Sequence, residues 1–182
     1  MKKIRVPLAV LSLLAAGTLA GCSGTPANSP DVSESVRKSL DDAGLKDVSV
    51  SDDRDKGVVT LGGQVKHDSD KMQAETLAKS LAGSQVVADQ IAVLPPGLEK
   101  EAKAVNSDLD GGIEKNLDAA LIQSKLRKAV NDEVKNGVVT LTGDVNSQSN
   151  RARAEKVAAS VPNVQQVVNN LQIKDQKASS TQ

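Results

Sequence analysis

The 182-residue chain contains no phenylalanine, tyrosine or tryptophan. Without aromatic rings there is no platform on which bases or sugars can stack, which argues against recognition of single-stranded nucleic acid or glycan through ring faces. An aromatic belt at a membrane interface is excluded as well. Any hydrophobic core has to be assembled from Val, Leu, Ile and Ala, so each folded unit is expected to be small and of modest stability. Histidine occurs once, at His67, so no histidine triad, metal pair or proton relay can form; the residue falls in a predicted turn and is expected at the surface. Cysteine also occurs once, at Cys22, which leaves no internal disulfide. The 23 basic residues balance the 23 acidic ones, so bulk charge gives no reason to expect nucleic acid as a partner.

The amino end is patterned for export. Lys2, Lys3 and Arg5 make a positive start, Val6–Leu14 a short apolar stretch broken by Pro7, and Leu19-Ala20-Gly21-Cys22 matches a lipobox. The run from Val6 to Ala20 is too short and too rich in Ala, Gly and Ser for a comfortable membrane-spanning helix. Residues 1–21 therefore read as a lipoprotein signal peptide, Cys22 as the lipidation point and 22–30 as a tether. The alternative is an ordinary secretory signal in which Cys22 is incidental. One acyl chain anchors weakly, at about 0.8 kcal/mol per buried methylene; similarity to bacterial lipoproteins implies three chains, palmitate among them, and stable attachment. Ser23 stands where an Asp often marks inner-membrane retention in enteric-type lipoproteins. That similarity implies the outer membrane, with the protein on its periplasmic face.

The rest of the chain repeats itself with an offset of 80 residues. Gly57-Val58-Val59-Thr60-Leu61-Gly62-Gly63-Gln64-Val65 recurs as Gly137-Val138-Val139-Thr140-Leu141-Thr142-Gly143-Asp144-Val145, and 14 of the 37 positions from Gly57 to Val93 are identical to their counterparts. Each copy has the same plan. In the first, Val32, Val36, Leu40 and Ala43 share a helical stripe, Asp31 with Glu34 suggests an N-terminal capping box, and Gly44 ends the helix. A strand is predicted over 47–52 and another over 58–65, in which Gly63 suggests a bulge or a close helix approach. A helix over 69–82 with Met72, Leu77, Ala78 and Leu81 inward, and a strand over 86–94, complete the unit. The second copy has a weaker first strand, with Val134 its only apolar residue, and Pro162 to stop its second helix. Pro95–Gly112, with a mildly helical patch at 98–105, reads as a flexible linker, and the polar residues from Asp175 onward as a disordered tail. The charge is unevenly spread: residues 31–93 hold 8 basic and 12 acidic side chains, residues 114–174 hold 9 and 6.

Few residues suggest chemistry. Asp52, Asp53 and Asp55 lack the remaining ligands of a calcium loop. Gly62-Gly63 sits within a strand pattern and has no following Lys-Ser/Thr, so it is not a phosphate loop. Arg151, Arg153 and Lys156 either extend a basic patch or pair with Glu155 and solvent. No nucleophile–base pair, metal set or cofactor motif is evident, and neither enzymatic activity nor a cofactor is expected.

The run helix, Gly-Val-Val-Thr-Leu-x-Gly-x-Val, Ala-rich helix, then Val87…Ile91-Ala92-Val93 or Val167-Val168-Asn169-Asn170-Leu171, resembles the BON domain. With the lipobox ahead of it, the chain resembles the dual-BON outer-membrane lipoproteins. The resemblance implies an α+β fold of two tandem αββαβ units, each a three-stranded mixed sheet with two helices on one face: BON domain 1 over 31–94, a linker over 95–113, BON domain 2 over 114–174 and a tail over 175–182. It also implies a non-enzymatic role in envelope integrity, with an anionic phospholipid membrane as partner and envelope proteins as further candidates. The alternative makes the domains protein-interaction modules in outer-membrane assembly or osmotic stress protection, with lipid only as anchor. In such lipoproteins the lipid surface is largely the first helix of the second domain, here about 118–130. At 100° per residue, Ile122, Leu126, Ala129 and Val130 are predicted to face the sheet, while Leu117, Leu121, Lys125 and Lys128, with Arg127 at the edge, face outward. That stripe either inserts shallowly under lipid headgroups or packs on the linker or the other domain.

Overall fold

The computed structural model describes residues 29–174. The signal peptide, Cys22, most of the tether and the tail lie outside the described residues. The first unit runs α1 (Ser33–Asp42), β1 (Val48–Asp53), β2 (Val58–Val65), α2 (Asp68–Leu81), β3 (Val86–Asp89) and β4 (Ala92–Val93). β1 pairs antiparallel with β2, and β3 and then β4 pair parallel with β2, so the last strand is one strand interrupted at Gln90-Ile91. The second unit repeats this order as α3 (Glu99–Gln123), β5 (Asn131–Lys135), β6 (Val138–Thr142), β7 (Asp144–Val145), α4 (Gln148–Ala159), β8 (Gln166–Asn169) and β9 (Gln172–Ile173). Its central strand is broken at Gly143, giving β5-β6-β8 and a short β7-β9 pair. The two tandem αββαβ units are those the sequence implied.

Each core lies between its sheet and its two helices. Val36 and Leu40 of α1 meet Val59 and Leu61 of β2; Leu117 and Leu121 of α3 meet Val139 and Leu141 of β6. The second helix of each unit contributes alanines, Ala74 and Ala78 or Ala154 and Ala158, all fully buried. Small side chains let the helix lie close to the sheet. This corrects the expected inner face of α2: Ala74, Ala78 and Ala82 line it, whereas Met72 is 67% exposed and Leu81 38%. The close neighbour at Gly63 is not the expected helix but backbone beside the partner strand: its φ is +86° and a Cβ there would collide with the carbonyl oxygen of Asp47. The Asp31–Glu34 box does not form. Val32 occupies the cap position, so Asp31 sits one residue too early and instead accepts from Ser33 N (3.0 Å) and Ser33 Oγ (2.6 Å).

The largest correction concerns the linker. Helix α3 begins at Glu99 and runs unbroken to Gln123, through Gly111 and Gly112. Ile113, Leu117 and Leu121 form its buried stripe at four-residue spacing, and Asp110 ties the helix to the β5–β6 turn by accepting from Asn136 N (2.7 Å) and Gly137 N (2.8 Å). The segment between the units is thus mostly an element of the second unit.

The two units also touch directly. Val58 and Ala88 of the first unit and their repeat equivalents Val138 and Val168 form a separate buried cluster. Gln166 caps the edge of β3: its Oε1 accepts from Asp89 N (3.1 Å) and its Nε2 donates to Val87 O (2.7 Å). Asn136 Nδ2 donates to Gln90 O (2.8 Å).

Candidate functional site

The surface singled out from sequence is the C-terminal end of α3, and its geometry differs from the expected stripe. Leu117 and Leu121 are fully buried, not outward, and Ile122 is 56% exposed, not inward. The cause is where the helix stops. The sequence pattern was read over 118–130, but the helix ends at Gln123 and the chain reverses at Lys125, whose φ is +59°. Leu126 N donates to Leu121 O (2.9 Å) and Lys125 N to Ile122 O (3.0 Å), the paired bonds of a Schellman closure, with Leu126 folding back on Leu121. Leu126 and Val130 therefore reach the core from a turn, as expected of their burial but not from a helix.

The same closure ends α1. Leu45 N donates to Leu40 O (2.8 Å) and Gly44 N to Asp41 O (3.0 Å), and the left-handed residue is Gly44, at φ +80°. Lys125 thus occupies the position that glycine fills in the sister unit. A side chain in that conformation costs about 1 kcal/mol relative to glycine. The three basic residues then separate. Arg127 is consumed by structure: Nε lies 2.6 Å from Asp118 Oδ1, Nη1 lies 2.7 Å from Asp132 Oδ1 and also donates to Val130 O (3.1 Å). Lys125 and Lys128 are exposed, and their ammonium groups have no hydrogen bond or ion pair among the described residues. Lys115, one helical stripe below Ile122, is exposed as well. Ile122, Lys125 and Lys128 are exposed at this end of α3. Ile122 was missed because it was placed on the inner face; the Ile113–Leu117–Leu121 spacing was the signal available to place it correctly.

The remaining candidates are structural or solvated. Arg151 donates to Leu171 O (3.1 Å) and Asn169 O (2.8 Å), while Arg153 and Lys156 are exposed. His67 is exposed at the N-cap of α2 and makes no side-chain cap bond. Asp52 accepts from Val32 N and Gln85 Nε2. Asp53 pairs with Lys56, whose hydrogen bond holds the Asp53 carboxyl below its ordinary range. Among the described residues no cluster of three or more His, Cys, Asp or Glu is placed to hold a metal ion, and no helix is long and apolar enough to cross a membrane.

A second concave surface lies between the units, a cleft of about 630 Å³ walled by α2, the β3–β4 bend, α3 and the 136–137 and 163–165 loops. Asp89, only 7% exposed, lines it. Burial pushes the Asp89 carboxyl up from its ordinary value, opposed by the backbone bond from Ile91 N and by Lys71.

The BON domain family profile matches residues 28–95 and 110–175. Over 137 residues the chain is 31% identical to osmotically-inducible protein Y of Escherichia coli (strain K12), covering 74% of this chain and 67% of that protein. Among solved structures, two of CdsD, a structural protein of the type III secretion system of Chlamydia trachomatis, align at 15% and 14% identity with TM-scores of 0.32 and 0.33. They cover 77% and 80% of this chain, which spans 66% of each of those chains.

Proposed function

Because this chain belongs to the BON-domain family, we propose that it is a non-enzymatic envelope protein that engages anionic phospholipid through the end of α3 in its second unit. On this reading acylated Cys22 tethers it to the periplasmic face of the outer membrane and the protein supports envelope integrity. The contact is a corrected version of the expected stripe: Ile122 dips under the headgroups while Lys125 and Lys128 meet phosphates, and Arg127, Leu117 and Leu121 hold the scaffold. Each basic residue near an anionic surface contributes about 1 kcal/mol. With one exposed isoleucine and no aromatic residue, the domain binds weakly and depends on the anchor to stay close.

The observation that carries this reading is Lys125 in a left-handed position where the sister helix has Gly44. A strained lysine that pairs with nothing in the described fold is retained at an expense in stability, which points to a task outside the fold. The test is co-sedimentation of the chain from Ser23 onward, which lacks the acylation point, with vesicles of phosphatidylcholine alone or mixed with phosphatidylglycerol. Binding is expected only to the anionic vesicles. Lys125→Glu with Lys128→Glu is expected to weaken it by about 2 kcal/mol, roughly thirtyfold. Equal binding to both vesicle types, or indifference to the double substitution, overturns the reading.

A second reading is favoured by the likeness to osmotically-inducible protein Y, whose name ties that protein to osmotic induction. In it the two units hold other envelope proteins during osmotic stress, and lipid is only the anchor.

A further inference from the structure

The internal repeat supplies its own control for the cleft between the units. In the second unit Asn169 Oδ1 accepts from Leu171 N (3.3 Å); in the first, Asp89 Oδ1 accepts from Ile91 N (3.1 Å). At equivalent positions both side chains accept from the N–H two residues on, while Asn169 also donates through Nδ2 to Arg151 O (3.1 Å) and Glu155 Oε2 (2.9 Å); the fold needs an oxygen there but not a charge. The first unit nevertheless buries a carboxylate. Lys71 donates to Ile91 O (3.0 Å) and forms a long ion pair with Asp89 through Oδ1 (4.0 Å). Asp89 Oδ2 has no hydrogen bond among the described residues. A buried carboxylate with one oxygen unfilled favours a cationic donor.

The surroundings narrow the ligand. Asp68 and Glu75 line the same cleft, which repels phosphates and attracts cations. Met72 and Leu109, 67% and 44% exposed, also line it and offer aliphatic contact. Asn106 and Asn163 line it too, and their carboxamides have no hydrogen bond among the described residues; such groups pair with peptide N–H and C=O. A volume of about 630 Å³ suits a short extended segment. We infer that this cleft binds an extended polypeptide segment carrying a lysine or arginine next to aliphatic residues, the cation meeting Asp89 and the aliphatic side chains meeting Met72 and Leu109. The inference rests on the protein-interaction reading, gives it a site, and is independent of lipid binding.

Met72 makes the test direct. Met72 is the one methionine of the chain from Ser23 onward, so 13C-methyl methionine NMR of that chain gives a single reporter, in the cleft. The probe is an acetylated, amidated pentapeptide alternating leucine and lysine. Saturable movement of the Met72 signal is expected. Glutamate in place of lysine should abolish it, and Asp89→Asn, which copies the sister unit and keeps the fold, should weaken binding at least tenfold. Lys125→Glu with Lys128→Glu should leave it unchanged. Free hexylammonium binding as tightly as the peptide overturns the polypeptide assignment. A Met72 signal that the peptide does not move, or that moves equally in Asp89→Asn, overturns the site. If that happens while cells carrying the chain still outgrow cells lacking it at high osmolarity, the cleft falls and the broader protein-interaction reading stands.

Discussion

Single residues in this chain hold conformations or charges that the fold alone does not require, and the repeat shows which. At Lys125 the sister unit has glycine, so Lys125→Gly relieves the steric cost of the left-handed conformation. The substitution is expected to raise unfolding free energy by about 1 kcal/mol, read as an upward shift of the urea midpoint at unchanged slope. It should at the same time weaken binding to anionic vesicles. A variant that gains neither stability nor loses lipid affinity removes the strain argument. At Asp89 the prediction concerns pH. Burial raises its folded-state pKa above the unfolded value of about 3.9, so its protonated form is favoured by folding. The stability linked to that proton is fully present below the unfolded pKa and is lost as pH rises through the folded pKa. Asp89→Asn keeps the bond from Ile91 N and removes the buried charge. It should therefore stabilise the protein near neutral pH and lose that advantage in acid, a crossover that thermal melts at pH 3 and pH 7 resolve. Asp53 works in the opposite sense: its lowered pKa adds stability that disappears as pH falls.

At the scale of elements, α3 decides most of what differs from expectation. Its alternation of helix formers with Gly111 and Gly112 reads locally as a linker because two glycines weaken a helix by about 1 kcal/mol each. Tertiary contacts overrule that: Ile113, Leu117 and Leu121 are buried on one stripe, and Asp110 clasps the β5–β6 turn. A Cβ at Gly111 or Gly112 meets no atom within 4 Å, so Gly111→Ala with Gly112→Ala is expected to stabilise the protein by about 1–2 kcal/mol, measurable by denaturant titration. Leu117→Ala should instead destabilise it by about 2–5 kcal/mol, since it opens a cavity beside Val139 and Leu141 rather than removing a lipid contact. The strands and the repeat offset were legible, because period-two Val and Leu runs between glycines encode them locally. Gly44 likewise announced the end of α1. The matching end of α3 was hidden because lysine carries no turn signal, and continuing the helix past it inverted the assignment of Leu117, Leu121 and Ile122. The inner face of α2 was misread for a related reason: the large residues Met72 and Leu81 looked like core, but close helix–sheet packing selected the alanines.

At the scale of the whole molecule, the repeat becomes one body through a face the linear pattern does not advertise. Val58 and Val138 begin equivalent strands, and each is buried not by its own helices but by the other unit, together with Ala88 and Val168. The outer face of each sheet would otherwise present these residues to water. Gln166 reinforces the contact by satisfying two backbone groups on the edge of β3, which also blunts an exposed strand edge that could recruit foreign chains. This contact, with the bond from Asn136 Nδ2 to Gln90 O, holds the two units together beside the cleft. Two consequences follow from a shared apolar contact. The wild-type chain should unfold in one cooperative transition, since neither unit is complete without the other. Val168→Asp places an unpaired carboxylate in the contact while leaving both internal cores intact, and breaking burial of this kind costs several kcal/mol. Calorimetry is expected to show the single transition splitting into two, with hydrogen exchange accelerated at Val58, Ala88 and Val138 but unchanged at Leu61 and Leu141. Should Val168→Asp melt in one transition at the wild-type temperature, the shared apolar contact does not couple the units, and the cleft loses the support on which peptide recognition depends.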